Sequence, residues 1–150
     1  MVDLDREVEQ GRIMNTAQLE RVEYTALLTP DMIVEGEKNR VVNAVALASD
    51  DETVYLTVSS TRFQLSDSLF EIMSDASGRV VRYNLKTKEI VVLVSDINFA
   101  NGIALSPGED YLLFCETGRL RLHKHFLTGE KAGQTEVLVD NLPGMPDNIR

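Results

Sequence analysis

The sequence holds few of the residues that define a site by themselves. Its 150 residues include no tryptophan, one cysteine and two histidines. The lone cysteine, Cys115, can close no disulfide within the chain and can complete no zinc cluster, so both of these features are excluded here. A single cysteine of this kind is typical of a small buried apolar residue, and this interpretation is favoured over a reactive thiol.

Positive charge is also scarce. Fifteen Lys and Arg residues stand against 24 Asp and Glu residues, which gives a formal net charge of −9. Phosphate backbones and anionic lipid headgroups are bound through basic surfaces. The composition therefore argues against nucleic acid and against an anionic membrane surface as partners of this chain.

Long apolar runs are missing as well. No stretch approaches the roughly 18 apolar residues that a membrane-spanning helix needs. Residues 1–10 are polar and acidic, unlike the apolar region of a secretory signal. We therefore expect any contact with a membrane to depend on a segment that is absent from this chain.

An internal repeat is the strongest positive feature. Residues 43–49 align with residues 101–107, and the same offset of 58 positions continues without a gap as far as Ser59 and Thr117. Beyond that point the second halves align at a smaller offset, which indicates an insertion at 61–76 in the first copy. A third copy begins with Asp147-Asn148-Ile149 at the end of the chain.

Each copy is predicted to form four short strands. The first strand opens at the Asn, and the later ones are 54–58, 79–85 and 90–94 in the first copy and 112–116, 120–127 and 136–139 in the second. These segments are rich in Val, Leu, Ile, Tyr and Phe, and clusters of Gly, Pro, Ser and acidic residues separate them. A four-stranded unit of this length is typical of a β-propeller blade.

The repeat also predicts how the chain is divided. Residues 41–97 form a blade with an insertion at 61–76, residues 98–142 form a second blade, and residues 143–150 start a third. Residues 1–40 include a predicted short helix at 3–20 and the last strand of a preceding blade at Tyr24–Leu28. One or two helical turns are predicted at Leu69–Met73. Because two blades leave open strand edges, we expect the chain to be part of a longer protein. The alternatives are a small self-standing β protein and a homo-oligomer that completes the ring.

Several motifs carry a resemblance to a known family. They are Thr-Val-Ser-Ser-Thr-Arg-Phe-Gln at 57–64, Gly-Arg-Val-Val-Arg-Tyr at 78–83, Phe-Ala-Asn-Gly-Ile-Ala-Leu-Ser-Pro at 99–107 and the final eleven residues, 140–150. In order and spacing they resemble the strictosidine synthase-like family, a relative of the paraoxonases, and most closely its animal members, the adipocyte plasma membrane-associated proteins. Residues 1–40 match only weakly. The resemblance implies an all-β fold, a partial six-bladed β-propeller of about two four-stranded blades plus flanking strands. For a full-length protein it implies a location at a membrane or the endoplasmic reticulum.

The resemblance also implies a calcium site. In paraoxonase-like members, Asn and Asp side chains from the blade-opening strands hold Ca²⁺, which prefers carboxylate and amide oxygens. Carried over by position, the candidate metal ligands are Asn43, Asn101, Asp147 and Asn148. For each single Asn, a role in a turn is the alternative, because Asn tolerates left-handed backbone.

This chain departs from the family pattern at two positions near the implied site. Ala44 and Val58 stand where the family usually has Asp. In paraoxonases the first of these acids helps to hold a second, structural calcium, so the departure puts that ion in doubt. A further acidic ligand is expected from an earlier blade.

Three functions are compatible with the resemblance. The first is a calcium-dependent hydrolase of the arylesterase or lactonase type, acting on a small-molecule ester or lactone, for which no catalytic residue is identified. The second is a non-catalytic propeller that acts as a membrane-associated binding or scaffold protein. The third is an amine–aldehyde condensing synthase, whose catalytic Glu would fall beyond Arg150. We expect this chain alone to be inactive.

The remaining His, Glu and Arg residues that could take part in chemistry are predicted to have structural roles. His123 and His125 share one face of a predicted strand and could bind a transition metal, but partly exposed strand residues are the favoured interpretation. Glu116 could act as an acid or base in the channel or support a loop, and the supporting role is favoured. Arg62 and Arg79 are expected to pair with surface acids rather than with substrate.

Overall fold

The computed structural model describes residues 32–73 and 76–149, and it consists mainly of antiparallel strands. The strands are β1 Ile33–Val34, β2 Glu37–Lys38, β3 Val41–Leu47, β4 Thr53–Ser60, β5 Gly78–Asn84, β6 Ile90–Ile97, β7 Ala100–Leu105, β8 Tyr111–Glu116, β9 Arg121–Phe126 and β10 Thr135–Val139. The predicted helix at 3–20 and the predicted strand at 24–28 lie outside the described residues. Within the described part of the chain, no helix is long and apolar enough to cross a membrane.

Eight of the strands form two four-stranded sheets. Strands β3, β4, β5 and β6 make the first sheet, and β7, β8, β9 and β10 make the second. In both sheets each strand pairs antiparallel with the next strand of the chain, which is the arrangement of a propeller blade. The prediction of an all-β, partial propeller fold is confirmed.

Alternation along β4 builds two separate cores. Val54, Leu56 and Val58 point to one face of the first sheet and are fully buried in a cluster that also holds Val81. Tyr55 points to the other face, where its cluster includes residues of the second sheet such as Leu112 and Phe114. The second blade therefore packs against the Tyr55 face of the first.

The insertion carries the predicted helix. A 3₁₀ turn at Leu65–Asp67 leads directly into α1, Ser68–Met73, one residue before the predicted start. Glu71 on α1 is fully buried. Its carboxylate accepts hydrogen bonds from Ser60 Oγ at 2.8 Å and from Ser77 Oγ at 2.7 Å, which tie the insertion to the ends of β4 and β5.

A small hairpin precedes the first blade and was not predicted. Strands β1 and β2 are joined by Glu35 and Gly36, whose φ angles of 52° and 84° are those of a tight hairpin turn. Arg79 reaches under this hairpin and donates hydrogen bonds to the carbonyl oxygens of Val34 at 2.9 Å and Glu37 at 3.1 Å. Arg79 is only 4% exposed, so the expectation that it pairs with a surface acid is wrong.

Candidate functional site

The opening strand of each blade is irregular at the same place. The pairing with the next strand shifts register within residues 42–45 of β3 and within residues 100–103 of β7. These bulges contain Asn43 and Asn101, so both side chains leave the regular ladder of the sheet. Neither residue has a positive φ angle, and their geometry therefore gives no support to the left-handed turn alternative.

Hydrogen bonds lead from Asn43 to the second blade. Asn43 Nδ2 donates to Ser59 Oγ at 2.9 Å, and Ser59 Oγ donates to the carbonyl oxygen of Ala100 at 2.7 Å. Ala100 directly precedes Asn101 in the sequence. The hydroxyl group at the end of β4 thus joins the Asn of one blade to the backbone that positions the Asn of the next.

The same relay is repeated one blade further on. Asn101 Nδ2 donates to Thr117 Oγ1 at 3.1 Å, and Thr117 Oγ1 donates to the carbonyl oxygen of Pro146 at 2.7 Å. Pro146 directly precedes Asp147, the first residue of the third copy. Because both relays fix the amide nitrogen, each Asn side chain has its carbonyl oxygen left over as an acceptor.

The carbonyl oxygen of Asn101 lacks any protein partner in the described part of the chain. Asn101 is 5% exposed, and its Oδ1 is buried without a hydrogen bond. An unsatisfied buried acceptor costs about 1–3 kcal/mol, so such an atom calls for a ligand. Calcium accepts amide oxygens as ligands, and the donor set at the blade openings therefore fits this ion.

Asp147 and Asn148 follow the second relay and are exposed. The carbonyl oxygen of Asp147 accepts a hydrogen bond from Gly102 N at 2.9 Å, which brings the start of the third copy beside the bulge of β7. Across residues 32–73 and 76–149, no group of three or more His, Cys, Asp or Glu side chains could hold a metal ion. Among the four predicted ligands, Asp147 alone carries a carboxylate. Metal binding by this set stays a prediction.

Cys115 lies on β8 and is fully buried, as its interpretation required. Burial, with a smaller contribution from the negative charge of Asp147, raises the pKa of the Cys115 thiol to about 11. We expect alkylation of Cys115 by iodoacetamide at pH 7.5 to be about 100-fold slower in native protein than in urea, because the thiolate is the reactive form. Site-resolved mass spectrometry of the full-length protein measures both rates, and equal rates would contradict this prediction.

Glu116 is the last residue of β8 and supports a turn, as favoured from the sequence. Its Oε1 accepts a hydrogen bond from Asn98 N at 2.9 Å, and its Oε2 lies 2.7 Å from His123 Nε2. Burial alone would raise the pKa of Glu116. The hydrogen bonds from His123 and Asn98, together with the positive charges of His123 and Arg119, hold that pKa below its ordinary value.

The two histidines are buried, so the expectation that they are partly exposed is wrong. His123 stacks on Phe114 with the ring centroids 4.9 Å apart, and its Nε2 faces Glu116. His125 Nδ1 lies 2.8 Å from Thr135 Oγ1, and burial lowers the pKa of His125. Both rings therefore have protein partners, which explains their alternation along β9 without a metal.

Comparisons with known sequences agree on one family. Residues 43–130 match the family described as strictosidine synthase. The adipocyte plasma membrane-associated protein Hemomucin of Drosophila melanogaster is 43% identical over 129 residues, which cover 83% of this chain and 22% of that protein. The adipocyte plasma membrane-associated protein of Salmo salar is 42% identical, with 85% of this chain and 31% of that protein covered. The chain thus spans between a fifth and a third of the length of these relatives.

Two solved structures share the fold. The first, described as a "putative gluconolactonase", superposes with a TM-score of 0.54 at 22% identity and covers 78% of this chain and 40% of that one. The second is described as a calcium-binding protein, regucalcin, from Agrobacterium tumefaciens. It superposes with a TM-score of 0.50 at 17% identity and covers 68% of this chain and 31% of that one.

Proposed function

This chain belongs to the strictosidine synthase family, and we propose that it forms part of a calcium-dependent hydrolase of small aryl esters or lactones. The observation that carries the proposal is the buried Oδ1 of Asn101, which has no partner in the described part of the chain. The descriptions of the two structural relatives, one a calcium-binding protein and the other a lactonase by name, are consistent with this choice.

The residues of this chain would serve to hold and orient the metal ligands. Asn43 and Asn101 would offer amide oxygens, while Ser59 and Thr117 keep the amide nitrogens turned away through hydrogen bonds of 2.9 and 3.1 Å. Asp147 would offer the carboxylate, and Asn148 a further amide. When bound, calcium supplies a Lewis acid that polarises an ester carbonyl group and stabilises the charge that develops on its oxygen.

Calcium affinity follows the number and the charge of the ligands. The four candidates provide one carboxylate, so we expect additional acidic ligands from blades outside this chain. Burial of Asn101 strengthens its share, because a charge interacts more strongly with a dipole in a medium of low permittivity. Loss of this one amide should therefore be visible in the calcium affinity of the full-length protein.

The test is a calorimetric calcium titration of the full-length protein. We expect saturable binding for the wild type and at least about tenfold weaker binding for Asn101→Ala, since one ligand is removed from the set. Gln134→Ala is the control, because it removes the side-chain amide of an exposed residue in the β9–β10 loop, which is not one of the predicted ligands. Circular dichroism should show both variants folded.

Two outcomes would reject the calcium site. One is a wild type that takes up no calcium at millimolar concentration, and the other is an Asn101→Ala variant that binds as tightly as the wild type. If calcium binds as expected, turnover of a panel of aryl esters and lactones should follow and should stop when a chelator removes the ion.

The alternative function is a non-catalytic binding or scaffold propeller. It is favoured by Val58, which stands where the family usually has an acid and is fully buried in the apolar cluster with Leu56 and Val81. The side chain at this position can therefore present no oxygen to a metal or a substrate. The relatives named for the plasma membrane make a membrane-associated role the natural form of this alternative. Calcium binding without turnover of any ester or lactone would favour it.

A further inference from the structure

A second polar cleft lies between the β1–β2 hairpin and the first blade. Its volume is about 200 Å³, and none of the four predicted calcium ligands lines it. The buried part of its wall includes Gly78 and Arg79 at the start of β5, next to the half-buried Ser77. The more exposed part carries charged side chains from the hairpin, from β6 and from the beginning of the insertion.

Arg79 is the unusual member of this wall. Its three hydrogen bonds go to the carbonyl oxygens of Val34 and Glu37 and to Asn39 Oδ1, all of them neutral acceptors. A guanidinium group has five N–H groups, and the Nε of Arg79 is buried without a partner in the described residues. Burial lowers the pKa of Arg79, and the charges of Glu37 and Glu35 offset this only in part. Arg79 thus keeps a buried positive charge with a donor left over, and a carboxylate in direct contact would stabilise both.

The rim of the cleft carries mainly negative charge. Glu35, Glu37 and Asp96 are exposed carboxylates that line it, with Arg62 as the exposed cation. A simple anion entering the cleft would meet three like charges and one opposite charge, Arg62, so the rim would repel it on balance. A ligand that also carries a positive group would instead be attracted at both ends.

We infer that this cleft binds a small zwitterion that carries a carboxylate and an ammonium group, such as an α-amino acid. The carboxylate is directed to Arg79, since the Ser77 hydroxyl group already donates to Glu71. The ammonium group is directed to the carboxylates of Glu35, Glu37 and Asp96. The size agrees with this class, because about 200 Å³ equals the volume of roughly six to seven water molecules. Alanine, with its few heavy atoms, is therefore a suitable probe.

The first experiment compares alanine with its two halves. Saturation-transfer NMR on the full-length protein, in the presence of a chelator that keeps the calcium proposal out of the measurement, records the binding of L-alanine, propionate and ethylammonium. We expect alanine to bind saturably and each half-ligand at least about tenfold more weakly, because each lacks one ionic contact. No saturable alanine signal at 20 mM, or equal signals for alanine and propionate, would overturn the inference.

The second experiment places the binding in this cleft. The double variant Glu35→Gln, Asp96→Asn removes two rim charges, and Asn is suited to the positive φ of 60° at position 96. We expect alanine affinity to fall about tenfold, while the control Asp67→Asn, which removes an exposed carboxylate outside the cleft, leaves it unchanged. Unchanged affinity in the double variant would overturn the assignment. The rim variants avoid the buried Arg79, and Glu35→Gln keeps the length of the side chain at the hairpin turn.

Discussion

Replacing Glu116 with alanine is expected to lower the free energy of unfolding by about 2–6 kcal/mol, because it leaves two buried donors without their acceptor and each such group costs about 1–3 kcal/mol. The Glu116 side chain is nearly fully buried. Its loss would leave His123 Nε2 and the backbone N–H of Asn98 without their acceptor. Both residues are buried, so solvent compensates the loss only poorly.

Urea denaturation of the full-length protein at pH 7, followed by circular dichroism, measures this effect. Glu136→Ala is the matched control, since Glu136 forms an exposed ion pair with Lys131 at 3.3 Å and such pairs contribute about 0–1 kcal/mol. A loss below about 1 kcal/mol for Glu116→Ala would show that the network around Glu116 is not a major source of stability.

The same contacts give the effect of Glu116 a pH dependence. The pKa of Glu116 is held below its ordinary value of 4.5 in the folded protein. A carboxyl group of this kind stabilises the fold fully at pH values above its unfolded pKa, and the contribution is lost as the pH falls through the folded pKa. The stability difference between wild type and Glu116→Gln should therefore be largest at neutral pH and shrink on acidification below about pH 4.5.

Much of this fold could be predicted from the sequence, because the internal repeat indicates the same strands independently in two copies. The match of residues 43–49 with 101–107 placed the opening strands, and β-branched residues marked the others. The β1–β2 hairpin escaped prediction because it has two residues in each strand and turns at Glu35, a residue that seldom takes a positive φ angle. Short pairs of this kind are stabilised by tertiary contacts, here those of Arg79.

The sequence singles out the residues of the candidate site but not the atoms that they leave free, and their role as metal ligands stays a prediction. Repetition of the Asn at blade openings singled out Asn43 and Asn101, yet nothing local shows which end of each amide is free. That choice depends on the Ser59 and Thr117 hydroxyl groups, which approach only when β4 and β8 fold back on the opening strands. The buried position of Glu71 was equally hidden, since charged residues are seldom buried unless they have partners.

Replacing Gly102 with alanine is expected to destabilise the protein by about 1–3 kcal/mol through overpacking. A Cβ at this position would lie 2.5 Å from the carbonyl oxygen of Asp147, 2.6 Å from Ile149 N and 2.7 Å from Asn148 Cα. All three are backbone atoms, so no side-chain rotation can relieve the contact. The third copy must move away from β7, and the hydrogen bond from Gly102 N to the Asp147 carbonyl is strained or lost.

Gly102 supplies no candidate ligand of its own. Any effect of Gly102→Ala on calcium binding must therefore come from the displacement of the third copy. If Asp147 and Asn101 serve one calcium ion, Gly102→Ala should weaken calcium binding about tenfold or more along with the loss of stability. Gly108→Ala is the control, since its nearest neighbour beyond the adjacent residues is Asp110 Oδ1 at 3.7 Å, an ordinary contact. Urea denaturation and calcium calorimetry on both variants decide the matter. A Gly102→Ala protein as stable as the Gly108→Ala control would show that the third copy does not pack over β7 in the full-length protein.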